Sequence, residues 1–173
     1  MIYTFQQHIH NYAVWTAARA AQRGFTTTEH IKQAINASQL RKLAEGKLDI
    51  KTVTDYDVFH EITCDELMAT FNSQPLKDRI KDKVTFGRVA KIVAVYLKTA
   101  VVVRDKGESL LSNIIHPPID RILLSNLTKP PYHIQLRNWT QLSKHDYYEL
   151  WEEIKALKIH NKGYWEIEEY WES

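Results

Sequence analysis

The chain has 173 residues, 23 Lys plus Arg against 21 Asp plus Glu and 44% apolar residues, the makeup of one folded domain and not of a disordered chain. Five Gly and five Pro leave few tight turns, which argues against a many-stranded sandwich or barrel and for helices, and the lone Cys64 excludes an internal disulfide. Residues 1–10 lack the basic and apolar regions of a secretion signal, and Lys91 and Lys98 interrupt the most apolar stretch, residues 89–103, so that the expectation is a cytoplasmic chain with no membrane span.

In chain order, residues 12–23 read as an Ala-rich helix (Ala13, Ala17, Ala18, Ala20, Ala21) that stops at Gly24. Thr26 and Glu29 have the spacing of a capping box, followed by Ile31, Ala34 and Ile35 at helical period. Residues 55–71 carry Val58, Phe59, Ile62, Leu67, Met68 and Phe71 in a helical pattern that Asp65 and Glu66 would interrupt. Residues 85–103 place Val89, Ile92, Val93, Tyr96, Leu97 and Ala100 on one side and read as the central helix. Pro117 and Pro118 suit the first turn of a short helix bearing Ile122, Leu123 and Leu127. Ser143 caps a helix with Tyr147, Leu150, Trp151 and Ile154 inward, and after Gly163 the spacing of Tyr164, Ile167 and Trp171 is again helical. No segment alternates as a strand does. The expected fold is all-α, a single domain over residues 1–173 with about seven helices.

Charge is unevenly spread. From 76 to 106 nine bases (Lys77, Arg79, Lys81, Lys83, Arg88, Lys91, Lys98, Arg104, Lys106) face three acids (Asp78, Asp82, Asp105), a balance of +6. From 145 to 173 eight acids face three bases, a balance of −5. A basic middle attracts phosphates, and it equally complements an acidic tail across a folded surface.

The string Phe86-Gly87-Arg88-Val89-Ala90-Lys91, an apolar helix, and then Pro118-Ile119-Asp120-Arg121 resemble a reduced core of the helix-hairpin-helix DNA glycosylases, in particular the archaeal-type 8-oxoguanine branch. In that branch a helix Lys precedes a Pro-Val/Ile-Asp helix start by roughly thirty residues, and here Lys91 precedes Asp120 by 29. The resemblance covers residues 83–127. It implies a glycosylase-like helical fold and cleavage of a damaged or modified base from DNA, with Lys91 the nucleophile on the sugar C1′ and Asp120 stabilising the developing sugar cation. Arg88 and Lys98 would lower the Lys91 pKa by like charge or touch phosphate, with Lys83, His116 and Arg121 as further DNA-binding candidates. No cofactor or metal is implied. A flipped base needs aromatic faces, and Tyr12, Trp15 and Trp139 are eligible. The family's Gly-rich phosphate hairpin is reduced to Lys83-Val84-Thr85-Phe86-Gly87, with one Gly. The strings at 10–15, 116–121 and 164–168 also resemble stretches that recur in small bacterial proteins, a likeness that implies no activity.

Each candidate has a plainer reading. On a helical wheel Arg88, Lys91, Val95 and Lys98 lie opposite Val89 and Val93, as on a solvated face, and an acid such as Asp120 suits a helix N-terminus without any catalysis. His8 and His10 point too far apart on a helix to share a metal ion. Cys64 reads as a small buried hydrophobe. Tyr164, Trp165, Tyr170 and Trp171 among four Glu suggest either a protein-docking face or core packing. The alternative to an enzyme is therefore a non-enzymatic helical module that binds DNA or protein.

Overall fold

The computed structural model describes residues 2–73 and 80–172, and among them it is all helical, without a strand. Lys77, Asp78 and Arg79 of the basic segment lie outside the described residues. Eight α-helices are described: α1 (Phe5–Ala21), α2 (Thr28–Ala37), α3 (Leu40–Ala44), α4 (Val53–Ser73), α5 (Phe86–Leu97), α6 (Leu110–Ile114), α7 (Arg121–Leu127) and α8 (Lys144–Ala156). Two 3₁₀ turns, Lys81–Lys83 and Trp139–Gln141, lie between helices, and a third, Tyr164–Tyr170, follows the last.

The central element is α5, started by Thr85, whose hydroxyl accepts the Arg88 N–H. Its apolar stripe of Val89, Ile92, Val93, Tyr96 and Leu97 is fully buried, each such side chain contributing roughly 1.5–3 kcal/mol. It packs on α1 and α4, with α2 against both of those helices and α8 and the 139–141 turn on its remaining side. Ala13, Ala17 and Ala18 of α1 are fully buried, and their small side chains bring α1 close to α5. Past Leu97 the helix widens into π-turns over Lys98–Val103.

Local readings were corrected in several places. Helix α1 starts at Phe5, because Thr4 caps it by accepting the Gln7 N–H. Thr27, not Thr26, caps α2, and the Thr26 hydroxyl is spent on His30 Nδ1 at 2.9 Å. Asp65 and Glu66 do not break α4, in which Asp65 is exposed and Glu66 half-buried. Pro117 and Pro118 do not enter α7. They are buried in the non-helical stretch before it, and Asp120 is the cap.

Candidate active site

Two segments 29 residues apart in the chain meet between α5 and α7. Lys91 projects from the second turn of α5, and its Nζ lies 3.0 Å from Asp120 Oδ2, both side chains only 10% exposed. Lys91 is therefore not part of a solvated face. Two neighbours explain this. Gly87 sits one turn before Lys91, and a Cβ there would lie 2.1 Å from the Trp139 carbonyl oxygen. The missing side chain lets the 139–142 chain press against α5, where the Gly87 N–H donates to Leu142 O at 3.1 Å. The Trp139 ring is thereby brought under Lys91, with Nζ 4.5 Å from its centroid, in a cation–π contact. The one Gly remaining from the presumed phosphate hairpin thus serves helix packing, and its amide is already engaged.

Asp120 divides its carboxylate between two tasks. Oδ1 accepts the Ile122 and Leu123 N–H groups at 3.0 and 3.1 Å and caps α7. Oδ2 accepts Lys91 and, at 2.9 Å, the indole N–H of Trp171. Burial pushes the Asp120 pKa up, but the Trp171 donor, the Lys91 charge and the backbone N–H groups outweigh it and hold it below the usual aspartate value. The pair is an ammonium facing a carboxylate. Glu168 lies nearby with a raised pKa: burial raises it, Asp120 adds repulsion, and its partner Lys98 compensates in part.

The remaining candidates are dispersed. Lys98 pairs with Glu168, which joins the basic helix to the acidic tail. Arg88 lies over the Phe25 ring, 5.3 Å from its centroid, half-buried and with Nε unpartnered. Lys83 and Arg121 are exposed. His116 is fully buried, so it cannot shape a pocket entrance or touch DNA; its Nε2 donates to Asp57 at 2.8 Å and its Nδ1 is hydrogen-bonded to Tyr147. Cys64 is buried beside His60, and His10 is held by Tyr96 and Asn36. Among the described residues no group of three His, Cys, Asp or Glu is placed to hold a metal ion, and no helix is long and apolar enough to cross a membrane.

The acidic aromatic tail folds back onto the body. Trp165 donates to Asn113 Oδ1 at 3.1 Å and packs over Gly107, where a Cβ would come within 2.8 Å of the indole. Tyr170 is hydrogen-bonded to Tyr132 at 2.7 Å, and Trp171 reaches Asp120. A hollow of about 520 Å³, lined by Arg121, Leu136, Arg137, Asn138, Trp139 and Thr140, lies beside the pair and shares Trp139 with it. Trp171, Glu168 and Asp57 were not singled out as partners of Asp120, Lys98 and His116. The sequence signal for Trp171 and Glu168 was an acidic aromatic tail following a basic helix, and Asp57 in α4 carried none. No family model matches this chain, nor does any curated protein or solved structure.

Proposed function

We propose that this chain is a DNA base-excision glycosylase with an associated lyase step, in which Lys91 is the nucleophile and Asp120 its partner. The observation that carries the reading is the 3.0 Å contact between Lys91 Nζ and Asp120 Oδ2, shielded from water and flanked by Trp139 and Trp171. An amine and a carboxylate held together in a poorly hydrated place are what attack at C1′ requires. The Lys91 nitrogen forms a bond to C1′ as the glycosidic C–N bond breaks. That bond's electron pair leaves with the base, and one ammonium proton, passed by way of Asp120, ends on the departing base. Ring opening then gives an imine between Lys91 and the sugar. The exposed Arg121 and Lys83 contact phosphate in this reading, and the hollow beside the pair, which Trp139 lines and Lys91 and Asp120 do not, takes the extruded base, its volume falling within the roughly 300–1,000 Å³ of ligand pockets.

Borohydride trapping with duplexes carrying 8-oxoguanine, uracil or an abasic site tests the reading. A covalent adduct with the wild type that disappears in Lys91→Gln is expected. The absence of any adduct together with the absence of DNA retention at low salt would remove the proposal.

One observation favours a second reading, a non-enzymatic helical module that binds DNA or protein. Every acceptor direction of Asp120 is already taken, by Lys91, Trp171, Ile122 and Leu123, so the pair also suits a purely structural tie between α5, α7 and the tail. Under this reading Lys91→Gln lowers stability and leaves DNA binding intact.

A further inference from the structure

Helix α1 carries a row of aromatic rings on the face turned away from the core. At 100° per residue, Phe5, His8, Tyr12, Trp15 and Arg19 fall within an arc of about 80°. His10, Ala13, Val14, Ala17, Ala18 and Ala21, the buried residues of the helix, lie on the opposite side. Phe5, Tyr12 and Trp15 are 75%, 55% and 53% exposed, a large apolar outlay for a helix already anchored by its other face. The rings stand in two stacked pairs, Phe5 with His8 at 6.2 Å and Tyr12 with Trp15 at 5.7 Å, tilted by only 17° and 18°. The pairs are seven residues apart, about 10 Å along the axis. Arg19 and then Arg23 continue the row, both exposed, and no acid occurs before Glu29.

Exposed rings in line with arginines, in a segment without an acid and with Tyr3 set edge-on to His8 at 6.1 Å, are the elements of a stacking platform for unpaired bases. A helical protein partner fits less well, because the seam positions hold Phe, His, Tyr, Trp and Arg in place of the Leu, Ile or Val knobs of helix pairing. We propose that this face of α1 binds single-stranded nucleic acid, its bases stacking on the Phe5–His8 and Tyr12–Trp15 pairs and its phosphates on Arg19 and Arg23. The surface uses none of the residues of the Lys91–Asp120 site, so it stands or falls independently of the glycosylase reading.

Fluorescence anisotropy with fluorescein-labelled 20-mers of thymidine and of uridine, at low and at physiological salt, tests it and separates DNA from RNA. Saturable binding that weakens with salt and falls at least about tenfold in a Tyr12→Ala, Trp15→Ala double variant is expected, with the thermal midpoint little changed because both side chains are exposed. Arg19→Glu is expected to weaken binding as well. The proposal is overturned if the wild type binds neither 20-mer at low salt, or if the double variant binds as tightly as the wild type. It is overturned also if light scattering finds a dimer that the double variant dissolves, which would make the row a seam between two copies.

Discussion

Trp171 donates its indole N–H to Asp120 Oδ2 at 2.9 Å, the same oxygen that Lys91 holds at 3.0 Å. The end of the described chain therefore closes over a pair formed by α5 and the start of α7, and Trp171 is itself 44% exposed, so the contact lies at the outer edge of the site. Whatever Lys91 and Asp120 do, the tail has to be counted as part of their environment.

Trp171→Phe keeps the ring and removes the donor. The Asp120 pKa is expected to rise toward the ordinary value, and stability at neutral pH to fall by roughly 1–2 kcal/mol, the low side of the about 1.5–3 kcal/mol of a hydrogen bond to a charged group because Trp171 is half exposed. The sign is set by the lowered native pKa: the contribution of Asp120 is complete above about pH 4 and is lost as pH falls through the native value. Urea denaturation at pH 5 and pH 3 is expected to give a smaller difference in the variant than in the wild type. Under the glycosylase reading the freed oxygen also raises the yield of trapped adduct, an effect that a purely structural tie does not produce.

Asp120→Asn and Asp120→Ala separate capping from pairing. Asn still caps a helix, so Asp120→Asn loses the ion pair and retains acceptance from Ile122 and Leu123, while Asp120→Ala loses both. The Ala variant is expected to be less stable than the Asn variant by about 1 kcal/mol, measured by chemical denaturation. Lys91→Met leaves a shielded carboxylate without its cation, a change that costs about 3–5 kcal/mol where no other donor remains. Trp171 and two backbone N–H groups remain here, so a loss at or below the lower end of that range is expected. Equal stability of the Asn and Ala variants would show that the cap is not what Oδ1 contributes.

Gly87→Ala places a methyl group where the Trp139 carbonyl oxygen lies, 2.1 Å from the new Cβ. The obstacle is backbone, also tied by the Gly87 N–H to Leu142 O, so it cannot swing aside as a side chain would. A loss of at least about 1–3 kcal/mol is expected, the cost of overpacking, even though Ala is the better helix former by about 1 kcal/mol. The same displacement moves the Trp139 ring off Lys91. Near-ultraviolet circular dichroism and tryptophan fluorescence at a temperature where the variant remains folded register that shift, and an unchanged spectrum with unchanged stability would refute the packing argument.

Much of the architecture was legible because it rests on local rules. The apolar period of residues 89–97 located α5, and Ser143 marked the start of α8, where the structure adds Asp146 to complete a capping box. The Lys91–Asp120 meeting was suggested by two short strings and a spacing of 29 residues, and the two side chains are in contact. What was not legible depends on long-range contacts. Nothing local marks Trp171 as a donor to Asp120, or Asp57 as the partner that keeps His116 in the core. The two prolines misled because a rigid non-helical approach and a helical first turn both favour proline; only the tertiary burial of Pro117 and Pro118 decides between them.

The histidines at the centre of the molecule make its stability depend on pH. His60 and His116 are fully buried, with ring centroids 4.5 Å apart, among Tyr56, Tyr147 and Trp151. Burial lowers both pKa values; His60 is lowered further by the charge His116 would carry, whereas Asp57 offsets part of the effect at His116. The unfolded chain takes up these protons near pH 6.5 and the folded chain does so only at lower pH, so folding is favoured above about 6.5 and loses ground as pH falls below it. Each histidine then contributes a slope of up to about 1.4 kcal/mol per pH unit. Urea midpoints are expected to be flat from pH 8 to 7 and to fall steeply between pH 6 and 5. His60→Phe removes one titrating ring from an aromatic setting and is expected to reduce that slope, measured against the wild type over the same interval. A midpoint that holds level down to pH 5 would mean that the buried rings accept protons without cost, which their complete burial does not allow.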